Sequence, residues 1–129
     1  MAIRFNLFQR AHDVERYAAG ATIFAKGDPG DRMFVITAGT VRVADGERTI
    51  ATLGPGELLG ELALIDAAPR SASAVALTDC SLAPIDRPRF LFLVQQTPYF
   101  AVQVMQAMAE RLRDERAREV PPVASTLPW

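Results

Sequence analysis

Short apolar runs separated by Gly, Pro and Asp dominate the chain between residues 20 and 85. Runs of this kind indicate short β-strands joined by tight turns, as a β-sandwich or β-roll requires. The pair Asp45-Gly46, between two such runs, is a strong signal for a β-hairpin. The strands predicted from this pattern are residues 33–37, 41–44, 49–53, 73–77 and 80–85.

Helices are predicted on both sides of this segment. Residues 5–17 carry spaced apolar side chains among polar neighbours, which predicts a short helix packed on the body. After the last strand, Asp86 can accept the first hydrogen bond of a helix, and Thr97-Pro98 begins a second helix. We expect this second helix to run to about residue 118, because Pro121-Pro122 cannot continue it.

The two C-terminal helices are predicted to have distinct faces. The first helix groups Phe90, Leu93 and Val94 on one side. In the second helix, the stripe that we expect to pack in the core consists of Ala101, Met105, Met108 and Leu112. Charged pairs one turn apart predict a solvated side, and they are Arg111 with Glu115 and Asp114 with Arg118.

Size and charge limit the possible classes of function. The 129 residues predict one domain at residues 1–120, followed by a flexible tail at residues 121–129. A formal net charge of −1 supplies no basic field, so binding to DNA is not expected. No apolar run approaches the ~20 residues of a membrane-spanning helix. Because the N-terminus also lacks the apolar region of a secretory signal, we expect a cytoplasmic protein.

Residues for catalysis or metal binding are sparse. His12 is the only histidine, so a cluster of histidine ligands for a metal cannot form. Cys80 is the only cysteine and lies in a predicted strand, where it is expected to pack as a small apolar side chain. The sequence contains no Gly-x-Ser-x-Gly elbow. We therefore expect no catalytic residue, no metal and no cofactor.

One segment, at residues 60–72, is suited to a small anion that also carries a hydroxyl group. Gly60 allows a ligand to approach the backbone closely, and residues 61–65 suit one helical turn. The first N–H groups of such a turn lack internal partners and favour a phosphate. Arg70 can add a planar, permanently charged donor. Glu61 would repel a phosphate, but it can accept a hydrogen bond from a neighbouring sugar hydroxyl.

This segment resembles the phosphate-binding cassette of the cyclic nucleotide-binding domain family, the type found in catabolite activator protein and in protein kinase A regulatory subunits. The family pattern is Gly-Glu-aliphatic-Ala-Leu, about four variable residues, then Pro-Arg-x-Ala, and every fixed position is filled between Gly60 and Ala72. The resemblance extends over roughly residues 5–118. It implies a jelly-roll-like β-roll of about eight strands with flanking helices.

The resemblance implies reversible binding of a cyclic purine nucleotide, with cAMP first and cGMP second. It assigns the phosphate to Arg70 and the ribose 2′-hydroxyl to Glu61, and it implies that the C-terminal helices move over the base. Ser71, which follows the arginine, leaves the choice of base open. The ligand-binding residues that the resemblance carries over are Gly60, Glu61, Leu62, Ala63, Arg70, Ser71 and Ala72.

Two other functions remain as alternatives. One is a degenerate β-roll that binds no nucleotide and serves as a scaffold for protein interaction or dimerisation. The other is a small hydrolase, against which the lack of a nucleophile–base set argues. The sequence favours a stand-alone sensor module, and a domain of a larger protein is the alternative. Its protein partner is unknown, and the sequence leaves a homodimer open. Trp129, at the end of the predicted tail, is a weak candidate for capping the base.

Overall fold

Two antiparallel sheets of four strands each form the body of the protein. The computed structural model describes residues 13–119, with side chains from residue 13 to residue 114. In chain order the elements are β1 (Glu15–Tyr17), β2 (Thr22–Phe24), β3 (Arg32–Ala38), β4 (Val41–Asp45), β5 (Arg48–Leu53), β6 (Leu58–Leu59), α1 (Glu61–Asp66), β7 (Ser73–Ala76), β8 (Cys80–Asp86), α2 (Arg87–Gln96) and α3 (Tyr99–Glu119).

The strand order is β1-β8-β3-β6 in one sheet and β2-β7-β4-β5 in the other. Apolar side chains of both sheets pack into two clusters. The first cluster lies between the β3–β8 sheet and the helices, and it includes Met33, Ile85 and Phe100. The second lies between the sheets, where Phe34, Val41 and other side chains are buried. The predicted mainly β architecture of about eight strands is confirmed.

The predicted strands agree with the structure to within one or two residues at each end. The hairpin prediction is also confirmed, because Asp45 pairs with Arg48 at the end of the β4–β5 ladder. Cys80 is 3% exposed in the second cluster, where it packs as predicted. The local signals, a two-residue turn and short apolar runs bounded by Gly, Pro and Asp, therefore identified these strands correctly.

The prediction of a helix at residues 5–17 is wrong where the structure can test it. Residues 15–17 form strand β1, which pairs with β8 and places Glu15 opposite Leu82 and Tyr17 opposite Cys80. Pairing with an available strand satisfies the backbone N–H and C=O groups that a helix would satisfy internally. Residues 5–12 lie outside the described residues, and His12 is among them.

The two C-terminal helices form where the sequence predicts them. The Asp86 side chain accepts a hydrogen bond from the Arg89 backbone N–H at 2.9 Å, so it is the predicted N-cap of α2. Phe90, Leu93 and Val94 pack against the first core cluster as expected.

The predicted core stripe of α3 is wrong, because the helix is rotated relative to that expectation. Its buried residues are Phe100, Val104 and Ala107, whereas Met105 and Leu112 are each 59% exposed. Met108 is partly buried against the core. The rotation turns the Met108–Leu112 side of α3 toward α1 and the preceding turn. The boundary predicted at residue 120 and the tail beyond it, including Trp129, lie outside the described residues.

Candidate functional site

Gly60 and α1 form a tight turn at the surface between the sheets. Gly60 precedes α1 with φ of 78° and ψ of 20°, a left-handed conformation that side-chain-bearing residues rarely adopt. A Cβ at this position would lie 2.4 Å from Nη1 of Arg70, so space also requires glycine here. The sequence therefore places glycine where both the backbone angle and the proximity of Arg70 demand it.

Arg70 is 6% exposed and is held from several sides. Its Nη1 donates to the Gly60 carbonyl at 3.0 Å, and its Nη2 donates to the Arg32 carbonyl at 2.8 Å. Its backbone is also fixed, because its N–H donates to the Asp28 carbonyl and its own carbonyl accepts from the Gly27 N–H, both at 2.8 Å. The turn between β2 and β3 therefore positions the arginine that the sequence predicts for the phosphate.

The Arg70 guanidinium lies over an aromatic ring. The distance from its Cζ to the centroid of the Phe24 ring is 4.1 Å, which is within the range of a cation–π interaction. Burial lowers the pKa of the Arg70 guanidinium, and the negative charge of Asp31 acts in the opposite direction. Contact with the ring partly replaces the water that burial removes.

Glu61 is the first residue of α1 and is 2% exposed. Its Oε1 accepts a hydrogen bond from Nη1 of Arg111 on α3, and Nη2 of Arg111 donates to the Leu58 carbonyl. The prediction that Arg111 lies on the solvated side of α3 is therefore wrong, whereas its predicted pair with Glu115 stays a prediction. Arg111 instead connects α3 to the segment that contains the predicted ligand-binding residues. The side chains of Glu115 and Arg118 lie outside the described part of the chain.

A cavity of about 470 Å³ joins these residues. Its lining comes from β4, β5, the segment around α1, and α3. All seven residues predicted to bind the ligand lie on its wall, so the structure brings them together around one space. The lining residues from outside the predicted set that matter most here are Phe24, Val43, Ile50, Met108, Arg111, Leu112 and Asp114.

Two buried polar atoms in this cavity have no hydrogen-bond partner, Oε2 of Glu61 and Nε of Arg70. Leaving a buried acceptor or donor unpaired costs on the order of 1–3 kcal/mol, and more when the group is charged. A carboxylate oxygen can accept a hydrogen bond from a hydroxyl group, and a guanidinium N–H can donate one to an anionic oxygen. The site is therefore suited to a molecule that carries a hydroxyl group and an anionic group close together.

Three features of this site were not predicted from the sequence: Phe24, Arg111 and the side of α3 that lines the cavity. Phe24 lies in a short apolar run like those of the other strands, and nothing local distinguishes it from the core aromatics. Arg111 has an acidic residue one turn later, and this spacing predicts an ordinary ion pair on the helix surface. Asp114, predicted to be solvated, lines the same cavity.

Two other kinds of feature are absent from the described residues. Between residues 13 and 119, no group of three or more His, Cys, Asp or Glu side chains is placed to hold a metal ion. In the same part of the chain, no helix is both long enough and apolar enough to cross a membrane.

Comparisons with known proteins converge on one family. A family model described as a cyclic nucleotide-binding domain matches residues 14–97. The cyclic AMP receptor protein of Thermus thermophilus is 41% identical over 103 residues, which cover 76% of this chain and 48% of that protein. A cAMP-dependent protein kinase regulatory subunit of Colletotrichum orbiculare is 37% identical over 82 residues, which cover 62% of this chain and 21% of that protein.

A solved structure gives the same result at the level of the fold. The catabolite activator protein of Thermus thermophilus matches with a TM-score of 0.76 and 36% identity, and the match covers 88% of this chain and 55% of that chain. The chain spans about half, or less, of the length of these curated relatives.

Proposed function

This chain belongs to the family of cyclic nucleotide-binding domains, and on that basis we propose that it binds a cyclic purine nucleotide reversibly, with cAMP first and cGMP second. The relatives support this order, because one is named a cyclic AMP receptor and another a regulatory subunit of a cAMP-dependent kinase. The proposed role is that of a regulatory sensor module without catalysis, acting on a protein partner.

The observation that carries this proposal is the chemistry of one largely apolar cavity. Glu61 and Arg70 both line it and are nearly completely buried, and each has one polar atom without a partner. Burial of polar atoms without a hydrogen-bond partner is costly unless a ligand supplies that partner. A cyclic nucleotide offers a phosphate to the guanidinium and, on the adjoining ribose, a hydroxyl to the carboxylate.

The phosphate is proposed to dock against Arg70 and the backbone N–H groups that follow Gly60. The first N–H groups of α1 have no partner within the helix and so are available to an anion. Gly60 has no Cβ to obstruct this approach. The Ser71 hydroxyl, also on the cavity wall, is proposed as a further donor to the phosphate or to the edge of the base.

The sugar and base are proposed to occupy the remainder of the cavity. Oε2 of Glu61 accepts a hydrogen bond from the ribose 2′-hydroxyl, and Leu62, Ala63 and Ala72 form the adjacent wall. The purine lies against apolar side chains from both the sheet and α3. In the cavity lining, these side chains are Val43, Ile50, Met108 and Leu112.

We propose that α2 and α3 shift when the ligand binds. Arg111 supports this idea, because it bonds both the Glu61 carboxylate and the Leu58 carbonyl beside the proposed ribose site. A ligand that rearranges the surroundings of Glu61 would alter these bonds and bias the position of α3. It can shift that balance only by the difference in its affinity for the two positions.

The test is a calorimetric titration of ligand-stripped protein with cAMP, cGMP and 5′-AMP. Saturable binding of cAMP, weaker binding of cGMP and little binding of the open-chain 5′-AMP would support the proposal. Chromatography of the ligand after incubation detects turnover, which would instead indicate an enzyme. If neither cyclic nucleotide produces heat or a thermal shift, the chain is better explained as a scaffold that does not bind nucleotides.

A further inference from the structure

Phe24 occupies an unusual place among the apolar residues of the cavity. It ends β2, pairs with Ala74 of β7 and is partly buried against the second core cluster. Its ring also forms part of the cavity wall, with the Arg70 guanidinium 4.1 Å from the ring centroid. One edge atom of the ring, Cε2, lies 3.3 Å from the place where a Cβ of Gly60 would stand. The ring therefore lies beside both Gly60 and Arg70.

The orientation of the Arg70 guanidinium depends on contacts of two kinds. The carbonyls of Gly60 and Arg32 bind Nη1 and Nη2, so they fix two points within the plane of the group. They do not by themselves stop the plane from tilting about the line that joins them. The Phe24 ring, whose centroid lies 4.1 Å from the guanidinium carbon, adds a third contact that resists the tilt.

We propose that Phe24 is a positioning residue for ligand binding, which holds the planar Arg70 guanidinium so that its free N–H groups can reach the ligand phosphate. This inference rests on the proposed function. It predicts that Phe24 contributes to binding only of ligands that carry the phosphate. An ordinary apolar residue of the wall would instead contribute to binding of the base or the sugar. The interaction is strong enough to matter, because a cation–π contact gains strength when the cation is desolvated, and Arg70 is 6% exposed.

The experiment compares cAMP with adenosine, which has the same base and a ribose but no phosphate. Phe24→Leu keeps an apolar side chain but removes the ring, and urea unfolding verifies that the variant is folded. We expect the Kd for cAMP to rise about three- to thirty-fold, and the Kd for adenosine to change little. Val43→Ala is the matched control, because Val43 belongs to the same core cluster and lines the same cavity. It should affect both ligands by similar factors.

A double-mutant cycle with Arg70→Ala separates positioning from direct contact with the ligand. If Phe24 acts through Arg70, Phe24→Leu has little further effect on cAMP affinity once Arg70 is absent. Additive losses, or equal losses for cAMP and adenosine, would show that Phe24 is only a wall residue and would overturn the inference. An unchanged cAMP affinity in Phe24→Leu would also overturn it while leaving the proposed function intact. A wild-type protein that binds no cyclic nucleotide would overturn both.

Discussion

The carboxylate of Glu61, nearly completely buried at the start of α1, forms an ion pair with Arg111, fifty residues later on α3. The pair joins the proposed ribose-binding group to the helix that covers the cavity. One of its carboxylate oxygens remains without a partner, which is the oxygen that we assign to the ribose hydroxyl. We therefore expect ligand recognition and the position of α3 to depend on the same side chain.

Removal of Arg111 is expected to destabilise the protein. Arg111→Ala leaves the Glu61 carboxylate buried with no ion-pair partner, and loss of one partner from a buried pair is costly. Since Arg111 itself is 31% exposed, we expect a loss of about 1–3 kcal/mol in the free energy of unfolding, which is below the range for fully buried pairs. Urea unfolding at neutral pH measures it. Arg113→Ala, an exposed arginine on the same helix, serves as the control, and an equal loss there would contradict the assignment.

Glu61→Ala is expected to distinguish ribose from deoxyribose ligands. A hydrogen bond to a charged group contributes about 1.5–3 kcal/mol, so cAMP affinity should fall by roughly ten-fold to more than a hundred-fold. The affinity for 2′-deoxy-cAMP should be nearly unaffected, because that ligand has no 2′-hydroxyl to donate a hydrogen bond to Glu61. Competition against a fluorescent analogue gives both affinities. If both ligands lose the same factor, Glu61 does not bind the ribose hydroxyl.

Gly60 is expected to tolerate no side chain. Gly60→Ala places a Cβ 2.4 Å from Nη1 of Arg70 and imposes a left-handed backbone on alanine. Gly46→Ala imposes the same kind of backbone strain, with φ of 62°, but its Cβ would meet no atom within 4 Å. Each variant should lose about 1–2 kcal/mol of unfolding free energy through strain.

The two glycine variants should differ in ligand binding, which titration with cAMP measures. Only Gly60→Ala displaces Arg70, so only that variant should lose cAMP affinity by at least about ten-fold, as loss of a charge-assisted hydrogen bond would cause. Equal affinities in the two variants would show that the proximity of Gly60 to Arg70 has no bearing on the ligand site.

The pair Glu15–Arg32 is expected to make stability depend on acid pH. The hydrogen bond from Arg32 lowers the pKa of Glu15 from its usual 4.5, against the opposing effect of burial, and the Tyr17 hydroxyl also donates to Glu15. Because the pKa is lower in the folded state, the stabilisation is present above the unfolded-state pKa and is lost as pH falls through the folded-state pKa.

Glu15→Gln tests this dependence. Both partners are about one-third exposed, so the expected loss in unfolding free energy near neutral pH is only about 0.5–1 kcal/mol. The difference from wild type should close in urea titrations below the folded-state pKa of Glu15. A difference that persists in strong acid would show that packing, and not the ion pair, accounts for the loss. Glu47→Gln, in the exposed β4–β5 turn, should have little effect.

Sequence reasoning succeeded where the structure is determined locally. The Gly60–Ala72 segment combines a glycine that the backbone requires, a short helical turn and an arginine at a fixed spacing, and all seven predicted residues line one cavity. The Asp45-Gly46 turn and the Asp86 cap likewise depend on neighbouring residues only. In each case the residues that give the sequence pattern and the residues that form the resulting turn or helix start lie close together in the sequence.

Sequence reasoning was wrong where distant contacts decide the outcome. In α3, both the predicted stripe and the buried residues Phe100, Val104 and Ala107 have helical spacing, so periodicity alone cannot select the buried face. Packing against the first core cluster selects the buried face, and the same placement of α3 brings Arg111 to Glu61. Strand β1 was missed for the same reason, because it depends on pairing with β8, more than sixty residues later.

The most direct test of the account is a calorimetric titration of ligand-stripped wild-type protein and Arg70→Ala with cAMP. We predict one-to-one binding by wild type. Because the hydrogen bond to the phosphate is charge-assisted, the affinity of the variant should be about ten- to a hundred-fold lower. Arg42→Ala, which removes a partly exposed arginine of β4 that is bonded to Thr49 and does not line the cavity, should bind cAMP as wild type does. Wild-type affinity in Arg70→Ala would contradict the central claim that Arg70 binds the ligand phosphate.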